Sequence, residues 1–483
     1  MKYLHGPSQE ALSNDIVKFI EAAKQRASSH FCVFNRHLVG PISKPEGRMK
    51  KLLVLAALLL VAAGPSNTPP PIVLSPTIPG DVNVTATTKS IDAFQPDFDV
   101  YSWNTFIALN WPPGANGSGD PSKKIGQNGD NDTVWEHYRD VADVFLPGGA
   151  KPAWNGPVQI PDACKSLYKP GMHVMEQIGK NILTPAVLSA MSQPFNTGPI
   201  IDQNGVFTRF QILVNKTMFD YIVGNALYSK AGQKVFTPPV NFTSGAVDAS
   251  GKTLLEGAIM VKSAWKVIEP SDKSRFHSES VLVYTPASQN PSFPAQCSMK
   301  TVGLVGMHIG HKTKDAPQWL WSTFEHVDNV PTDAEVKSGT VKAKYNYYDP
   351  KCKSCPVNQV PPRPWDPTKV SAFHSQIVRM NQFNFPIYAQ SAAARNAAAH
   401  KLLAGVNPNS VWANYQLIST MWPTDPKQPF GAPAPSFLAN TTLETYIQGT
   451  TQNVSSNCIE CHNNATMTVP VASDFTYVLQ RAQ

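Results

Sequence analysis

Proline restricts the possible folds of this sequence more than any other feature, because 43 of the 483 residues are proline. That is roughly twice the usual share of about 5%. Proline interrupts helices and central strands and favours turns, so a long regular helix bundle is excluded. Only 16% of the residues are charged and 42% are hydrophobic, which excludes charge-driven disorder. We expect a folded protein rich in turns.

The pattern of apolar residues predicts an α+β fold. The expected fold is a large mixed body with an antiparallel sheet and a short helical C-terminal segment. The sheet is expected to be antiparallel because the strand-like runs are joined by turns more often than a parallel sheet allows. The predicted strands are 205–214, 254–267, 278–284, 301–308 and 412–420. The predicted helices are 97–110, 133–144, 217–228, 371–404 with a break at Pro386, and 442–449.

The positive charge of the chain is concentrated at its N-terminus. The formal net charge is +7, and residues 1–63 contribute +5 of it, from nine Lys/Arg and four Asp/Glu. The remaining sequence has no basic run and lacks the electrostatic footprint of a nucleic-acid-binding protein. We therefore set nucleic acid aside as a partner.

Residues 49–63 have the layout of a secretory signal peptide. Lys50 and Lys51 precede twelve apolar residues, which end in Val-Ala-Ala at 61–63, a typical cleavage site. A helix of that length spans about 18 Å, against about 30 Å for the hydrocarbon core of a bilayer. The segment predicts export to the periplasm or another extracytoplasmic compartment, without a permanent membrane span after cleavage.

The signal-like segment divides the chain. Residues 1–48 either precede a true start at Met49 or form a cytoplasmic extension, and the sequence assigns them no function. Residues 64–89 begin with a proline-rich stretch and are expected to form an extended spacer. The α+β body is predicted over 90–440 and the C-terminal segment over 441–483.

The motif with the clearest chemistry is Cys458-Ile459-Glu460-Cys461-His462. Cys-x-x-Cys-His is the attachment sequence of a c-type haem. Two thiols one helical turn apart can add to the two vinyl groups on one edge of a haem, and the histidine that follows is placed to bind the iron. The sequence predicts one covalent haem c in the C-terminal segment, with His462 as axial ligand.

Two other interpretations of this motif stay open. One is a short disulfide loop beside an accidental histidine, and the other is a zinc site completed by Cys352 and Cys355. These two cysteines cannot form a second haem site, because Pro356 occupies the position of the ligating histidine. If they pair with each other, Cys164 and Cys297 can form a second disulfide, although three connectivities are open.

A sixth iron ligand is expected from upstream, because only 21 residues follow His462. The sole sulfur candidate among them is Met467. It is five residues from His462, and so short a chain would have to turn around the haem edge almost at once. Met467 is therefore a weak candidate.

His308 and His311 are the main upstream candidates, as a distal ligand or as an acid/base group. If 303–313 is a strand, their side chains face opposite sides of the sheet. For each of them, a hydrogen-bonded structural role is the alternative. Glu325 and His326 are second-tier candidates in an aromatic-rich stretch that first indicates core and only then a haem wall.

Several stretches between residues 97 and 480 together form a recognisable pattern. They are WNTF at 103–106, LNWP at 109–112, VKSAW at 261–265, GMHIGHKT at 306–313, QWLWSTFEH at 318–326, and the closing Cys-x-x-Cys-His. The sequence in this respect resembles a group of exported bacterial proteins known only as cytochrome c family. The resemblance implies haem c on Cys458 and Cys461 with His462 as axial ligand, and it implies no particular reaction or distal ligand. The single haem motif separates the chain from two-haem peroxidases and from rubber-cleaving dihaem oxygenases.

Two functions are compatible with an exported monohaem protein. The first is electron transfer with a redox partner protein or a small-molecule electron donor or acceptor. The alternative is a peroxidase- or oxygenase-like haem enzyme with an open distal site, acting on peroxide, oxygen or a small organic substrate. It is suggested by the body of about 360 residues before the motif, which is far more than one electron carrier needs. His308 or His311 would then be the acid/base group.

Overall fold

A large β-sheet organises the fold of this protein, whose computed structural model describes residues 69–84, 90–126, 132–176, 198–237, 239–289, 291–380, 383, 385–448 and 456–483. The predicted signal peptide and all residues before it lie outside these ranges. The described residues belong to a unit that runs from Asn67 to Gln483. Within them, no helix combines the length and the apolar character needed to cross a bilayer. The observed class is α+β, as the sequence predicts.

The strands of the described residues form one large sheet and two small hairpins. They are β1 (Arg139–Asp140), β2 (Val174–Met175), β3 (Arg209–Val214), β4 (Ala246–Val247), β5 (Thr253–Leu255), β6 (Ile259–Val267), β7 (Ser278–Thr285), β8 (Ser288–Gln289), β9 (Ser292–Phe293), β10 (Gln296–His311), β11 (Leu320–His326), β12 (Tyr415–Pro423) and β13 (Pro433–Ala434). The large sheet has the order β1-β3-β6-β10-β11-β12-β13, with β7 paired to β10 and β2 paired to β7. Its pairings are antiparallel except for β2 with β7.

Strand β10 lies in the middle of the sheet and pairs with β6, β7 and β11. Its first half pairs with β7, and its second half lies between β6 and β11. A bulge between Leu304 and Gly306 separates the halves. The strand predicted over 301–308 is therefore correct in type and too short at both ends.

The helices are short apart from two. They are α1 (Ile91–Leu109), α2 (Val141–Val144), α3 (Lys216–Gly224), α4 (Lys230–Val235), α5 (Asp333–Ser338), α6 (Pro386–Val406) and α7 (Cys458–Asn463). Helix α1 begins after Ser90, whose hydroxyl accepts a hydrogen bond from the backbone N–H of Ala93. Helix α6 begins at Pro386, the residue expected to interrupt a longer helix, because proline is well suited to the first helical position.

Three helix predictions are wrong in detail. Residues 371–380 of the predicted helix 371–404 are not helical. The segment 133–144 is divided into a 3-10 turn, Val134–His137, and α2, because the Asp140 side chain caps a new helix at Ala142 N. The segment 442–449 forms turns through residue 448. There the side chain and backbone N–H of Thr442 both donate to Asn440 Oδ1, and such local side-chain bonds compete with a helix.

The two faces of the sheet are covered differently. Helices α1 and α6 cover one face, here called the helix face, where Trp103 and Phe106 of α1 pack on Phe324 of β11 with ring centroids 5.1 Å and 4.3 Å apart. Residues 436–448 and 456–483, together with α3, pack on the opposite face, here called the C-terminal face, whose sheet residues include Met260 and Trp321.

Two disulfides reinforce this arrangement. Cys164 is bonded to Cys297 at the start of β10, and Cys352 is bonded to Cys355. Of the three connectivities left open by the sequence, the structure has the one that pairs neighbours at 352 and 355.

Candidate functional site

Helix α7 places the two cysteines of the Cys-x-x-Cys-His motif one turn apart. The Asn457 side chain caps the helix by accepting a hydrogen bond from Glu460 N at 2.9 Å. Cys458 is buried and Cys461 is half-buried, and both keep their thiols. The disulfide-loop interpretation is therefore not what the structure has.

The four-cysteine zinc interpretation also fails, because Cys352 and Cys355 are consumed by their own disulfide. Among the described residues, no three His, Cys, Asp or Glu side chains are grouped in a way that could hold a metal ion by themselves.

His462 is held in one orientation by its surroundings. Its Nδ1 lies 2.8 Å from the Phe475 carbonyl oxygen, so Nδ1 carries the proton and Nε2 is left with its lone pair. The ring packs against Trp321 at 4.2 Å and Tyr477 at 5.4 Å between centroids. Tyr477 also donates a hydrogen bond to the Cys461 carbonyl at 2.9 Å. A histidine fixed through Nδ1 in this way is typical of a metal ligand.

Burial lowers the pKa of His462 to about 4. The electrostatic influence of Lys262 and His308 lowers this pKa further, whereas the hydrogen bond to Phe475 and the carboxylate of Glu444 oppose the shift. The imidazole is therefore neutral at pH 7, which is the form that binds metals.

His308 lies on the C-terminal face, together with this motif. The next position on that face of β10 is Gly310, where an added Cβ would meet Trp321, the ring that packs on His462. His308 Nε2 lies 2.5 Å from Glu444 Oε2, and its Nδ1 lies 3.0 Å from the Thr323 hydroxyl. Since both nitrogens have partners, the arrangement suits proton transfer better than ligation of iron.

His311 lies on the helix face, away from the motif. Its Nδ1 is bonded to the Tyr101 hydroxyl of α1, and its Nε2 is bonded to the Glu256 carbonyl. Burial lowers the pKa of His311 to about 4, so the ring is neutral. The structure places His311 in a structural role.

The second-tier candidates also have structural partners. Glu325 is bonded to Arg379 and accepts hydrogen bonds from the backbone and hydroxyl of Thr441, which fixes the chain over the C-terminal face. The His326 ring stacks on Phe276 at 4.1 Å, and its Nε2 is bonded to the Arg275 carbonyl at 3.0 Å.

Met467 is buried in the apolar cluster that contains Cys458 and Ile459. Met421 belongs to the same cluster, and its sulfur accepts a weak hydrogen bond from Ile459 N at 3.5 Å. Both side chains thus belong to the apolar cluster around α7.

Sequence reasoning missed three residues that shape the site, namely Lys312, Glu444 and Asp474. Continuing the strand alternation from His308 through Gly310 would have placed Lys312 on the C-terminal face. No local signal marks Glu444 or Asp474, since their partners are distant in sequence.

The donor set fits a covalent haem. It offers two thiols one turn apart and a neutral imidazole with an unprotonated Nε2, which is the chemistry that c-type attachment requires. No family model, curated protein or solved structure matches this chain. A functional assignment therefore depends on the site itself.

Proposed function

We propose that the protein is an exported monohaem c-type cytochrome, which transfers electrons through one haem held by Cys458 and Cys461 with His462 as axial ligand. Haem iron supplies one-electron oxidation and reduction when it is bound. The observation that carries the proposal is the geometry of α7, where both thiols and a histidine with its Nδ1 proton donated to the Phe475 carbonyl occur within two turns.

Export is supported by two features of the chain. Residues 49–63 have the layout of a signal peptide. Disulfides form in oxidising compartments, and the chain has two of them in addition to the haem motif. The cytochrome would exchange electrons with a redox partner protein or with a small-molecule donor or acceptor.

The test is covalent haem attachment in protein produced with a c-type haem maturation system. The polypeptide should retain one haem after denaturation, and the Cys458→Ala/Cys461→Ala variant should retain none. The matched control is Cys352→Ala/Cys355→Ala, which removes the other Cys-x-x-Cys pair and should keep the haem. Wild-type protein that loses all haem on denaturation would refute the proposal.

A second candidate function is a haem enzyme with an open distal site. The His308–Glu444 pair favours it, because a histidine bonded to a carboxylate beside the motif can hold and move a proton at Nε2. His311 is not part of this candidate, since it lies on the helix face against Tyr101 of α1, away from the motif.

Carbon monoxide separates the two functions. A reduced spectrum unchanged by carbon monoxide indicates a closed iron and supports electron transfer, whereas a shifted spectrum indicates an open position and supports the enzyme. In the enzyme, His308→Gln should abolish turnover of peroxide or oxygen and leave the shift intact. If His308→Gln instead removes a six-coordinate spectrum, His308 is a ligand.

A further inference from the structure

The turn that supplies the hydrogen bond to His462 has an unusual backbone. Asp474 and Phe475 are consecutive residues with φ of +52° and +63°. Left-handed conformations are uncommon for residues other than glycine, and a bulky aromatic side chain makes them more costly. Such a residue is strained and persists only where its surroundings hold it.

The carboxylate of Asp474 ties this turn to the sheet. It is bonded to Lys312 Nζ and accepts a hydrogen bond from Phe242 N at 2.6 Å. Lys312 also donates to Asn241 Oδ1 at 2.7 Å. The side chains of Lys312 and Asp474 are only 2% and 8% exposed. The pair joins the end of β10 directly to the residue before Phe475.

A buried ion pair of this kind is a poor way to gain stability, because both charges lose their hydration. The geometry of the pair, however, fixes the position of the Asp474 carboxylate relative to the sheet. Lys312 follows the second half of β10, which lies between β6 and β11, and so provides a fixed point for the Asp474 carboxylate. On its other side the turn is closed by Ser473, whose hydroxyl donates to the Thr476 carbonyl at 2.6 Å.

We propose that Lys312 and Asp474 are positioning residues for the axial ligand: their ion pair holds the left-handed turn that aims the Phe475 carbonyl at Nδ1 of His462. This inference rests on the proposed function, since it treats His462 as an iron ligand. A hydrogen bond at Nδ1 makes the imidazole a stronger donor and favours the oxidised iron. The pair would therefore help to set the reduction potential from outside the motif.

The experiment compares two buried lysine–aspartate pairs of the same sheet. Lys312→Met releases Asp474, and Lys266→Met is the control, because Lys266 forms a buried pair with Asp202 at 2.6 Å from β6. Lys312→Met should raise the reduction potential of the haem protein by about 60 mV, which corresponds to the lower end of the 10–100-fold effects known for such outer ligand contacts. Lys266→Met should leave the potential unchanged, and Lys312→Arg should restore it.

A second measurement needs no haem. In apo-protein with labelled histidine, the nitrogen chemical shifts of His462 should report the Nδ1–H tautomer in the wild type and its loss in Lys312→Met. If Lys312→Met does not fold, Asp474→Asn is measured instead, since it removes the charge and keeps an acceptor for Phe242 N.

The outcomes separate this inference from the proposed function. Absence of covalent haem refutes the cytochrome, and the tautomer in the apo-protein still decides whether the ion pair positions His462. Covalent haem with equal potentials in Lys312→Met and Lys266→Met, and an unchanged tautomer, would overturn the positioning role and leave the cytochrome standing.

Discussion

The two faces of the central sheet use the same strands for opposite purposes. On the helix face, large aromatic side chains from α1 interlock with β11, and the buried ring of His311 is held there by hydrogen bonds at both nitrogens. On the C-terminal face, β10 carries His308 and two glycines, and Lys312 follows its end. His308 is bonded to Glu444 and Lys312 to Asp474, while His462 packs on Trp321 of the neighbouring strand β11.

This difference indicates a division of labour. Close-packed aromatic contacts leave little room for change, whereas a face with charged groups and irregular chain above it has more freedom to hold a cofactor. The helix face should thus respond to substitution mainly in its free energy of unfolding. The C-terminal face should respond mainly in the properties of the site.

Phe106→Ala should give the largest loss of stability. The Phe106 side chain is fully buried, stacks on Phe324 at 4.3 Å and contacts Trp412 edge-on at 5.8 Å. Its removal leaves a cavity and should lower the free energy of unfolding by about 3–5 kcal/mol. Urea unfolding monitored by tryptophan fluorescence measures this loss. A loss below about 1 kcal/mol would mean that the helix face is not the main core.

His311→Gln should reduce the loss in the free energy of unfolding that occurs as the pH is lowered. The pKa of His311 is about 4 in the folded protein, below its ordinary value of 6.5. Between these values the unfolded chain binds a proton that the native state excludes, so stability is fully present above pH 6.5 and falls as the pH falls toward 4. This group contributes about 3 kcal/mol to that fall. His326, with its pKa also lowered to about 4, should maintain part of the slope in the variant.

The measurement is urea unfolding at pH 7, 6, 5 and 4 for both proteins. His137 provides a control of opposite sign, because the hydrogen bond that its ring donates to the Asp132 carboxylate raises its pKa. Replacing His137 should leave the acid slope in place. An equally steep slope in His311→Gln would show that the His311 ring does not remain neutral in the native state.

The difference between the two faces also shows which features can be predicted from the sequence. Strand alternation predicts that His308 and His311 face opposite sides, because it depends only on local geometry. Strand alternation does not predict which of the two histidines lies on the side of the site. That depends on the contact between His311 and Tyr101, which are 210 residues apart in the sequence. The left-handed turn at Asp474 and Phe475 is also hidden, because no glycine marks it.

Gly306→Ala should disturb the chain over the C-terminal face. An added Cβ would lie 2.0 Å from Thr442 Oγ1 and 3.0 Å from Asn440 Oδ1, so this turn must move. We expect a loss of about 1–3 kcal/mol and faster hydrogen exchange at Glu444 N–H, which is bonded to the Asn440 carbonyl. Unchanged exchange at Glu444, with stability lost elsewhere, would contradict the close contact between β10 and this turn.

Gly310→Ala should have the smallest effect and gives the sharpest comparison between the faces. An added Cβ would lie 3.3 Å from Met260 Cε and 3.3 Å from Trp321 Cζ3, and the flexible methionine can yield. The strain should nearly cancel the gain of about 0.4–1 kcal/mol from a less flexible unfolded chain. Gly405→Ala, with open space around its Cβ, measures that gain without strain.

Gly310→Ala should therefore change stability by less than about 1 kcal/mol and shift the His462 ring resonances, because Trp321 packs on that ring. A loss well above that of Gly306→Ala would mean that the C-terminal face is packed as rigidly as the helix face, and the division of labour between them would be wrong.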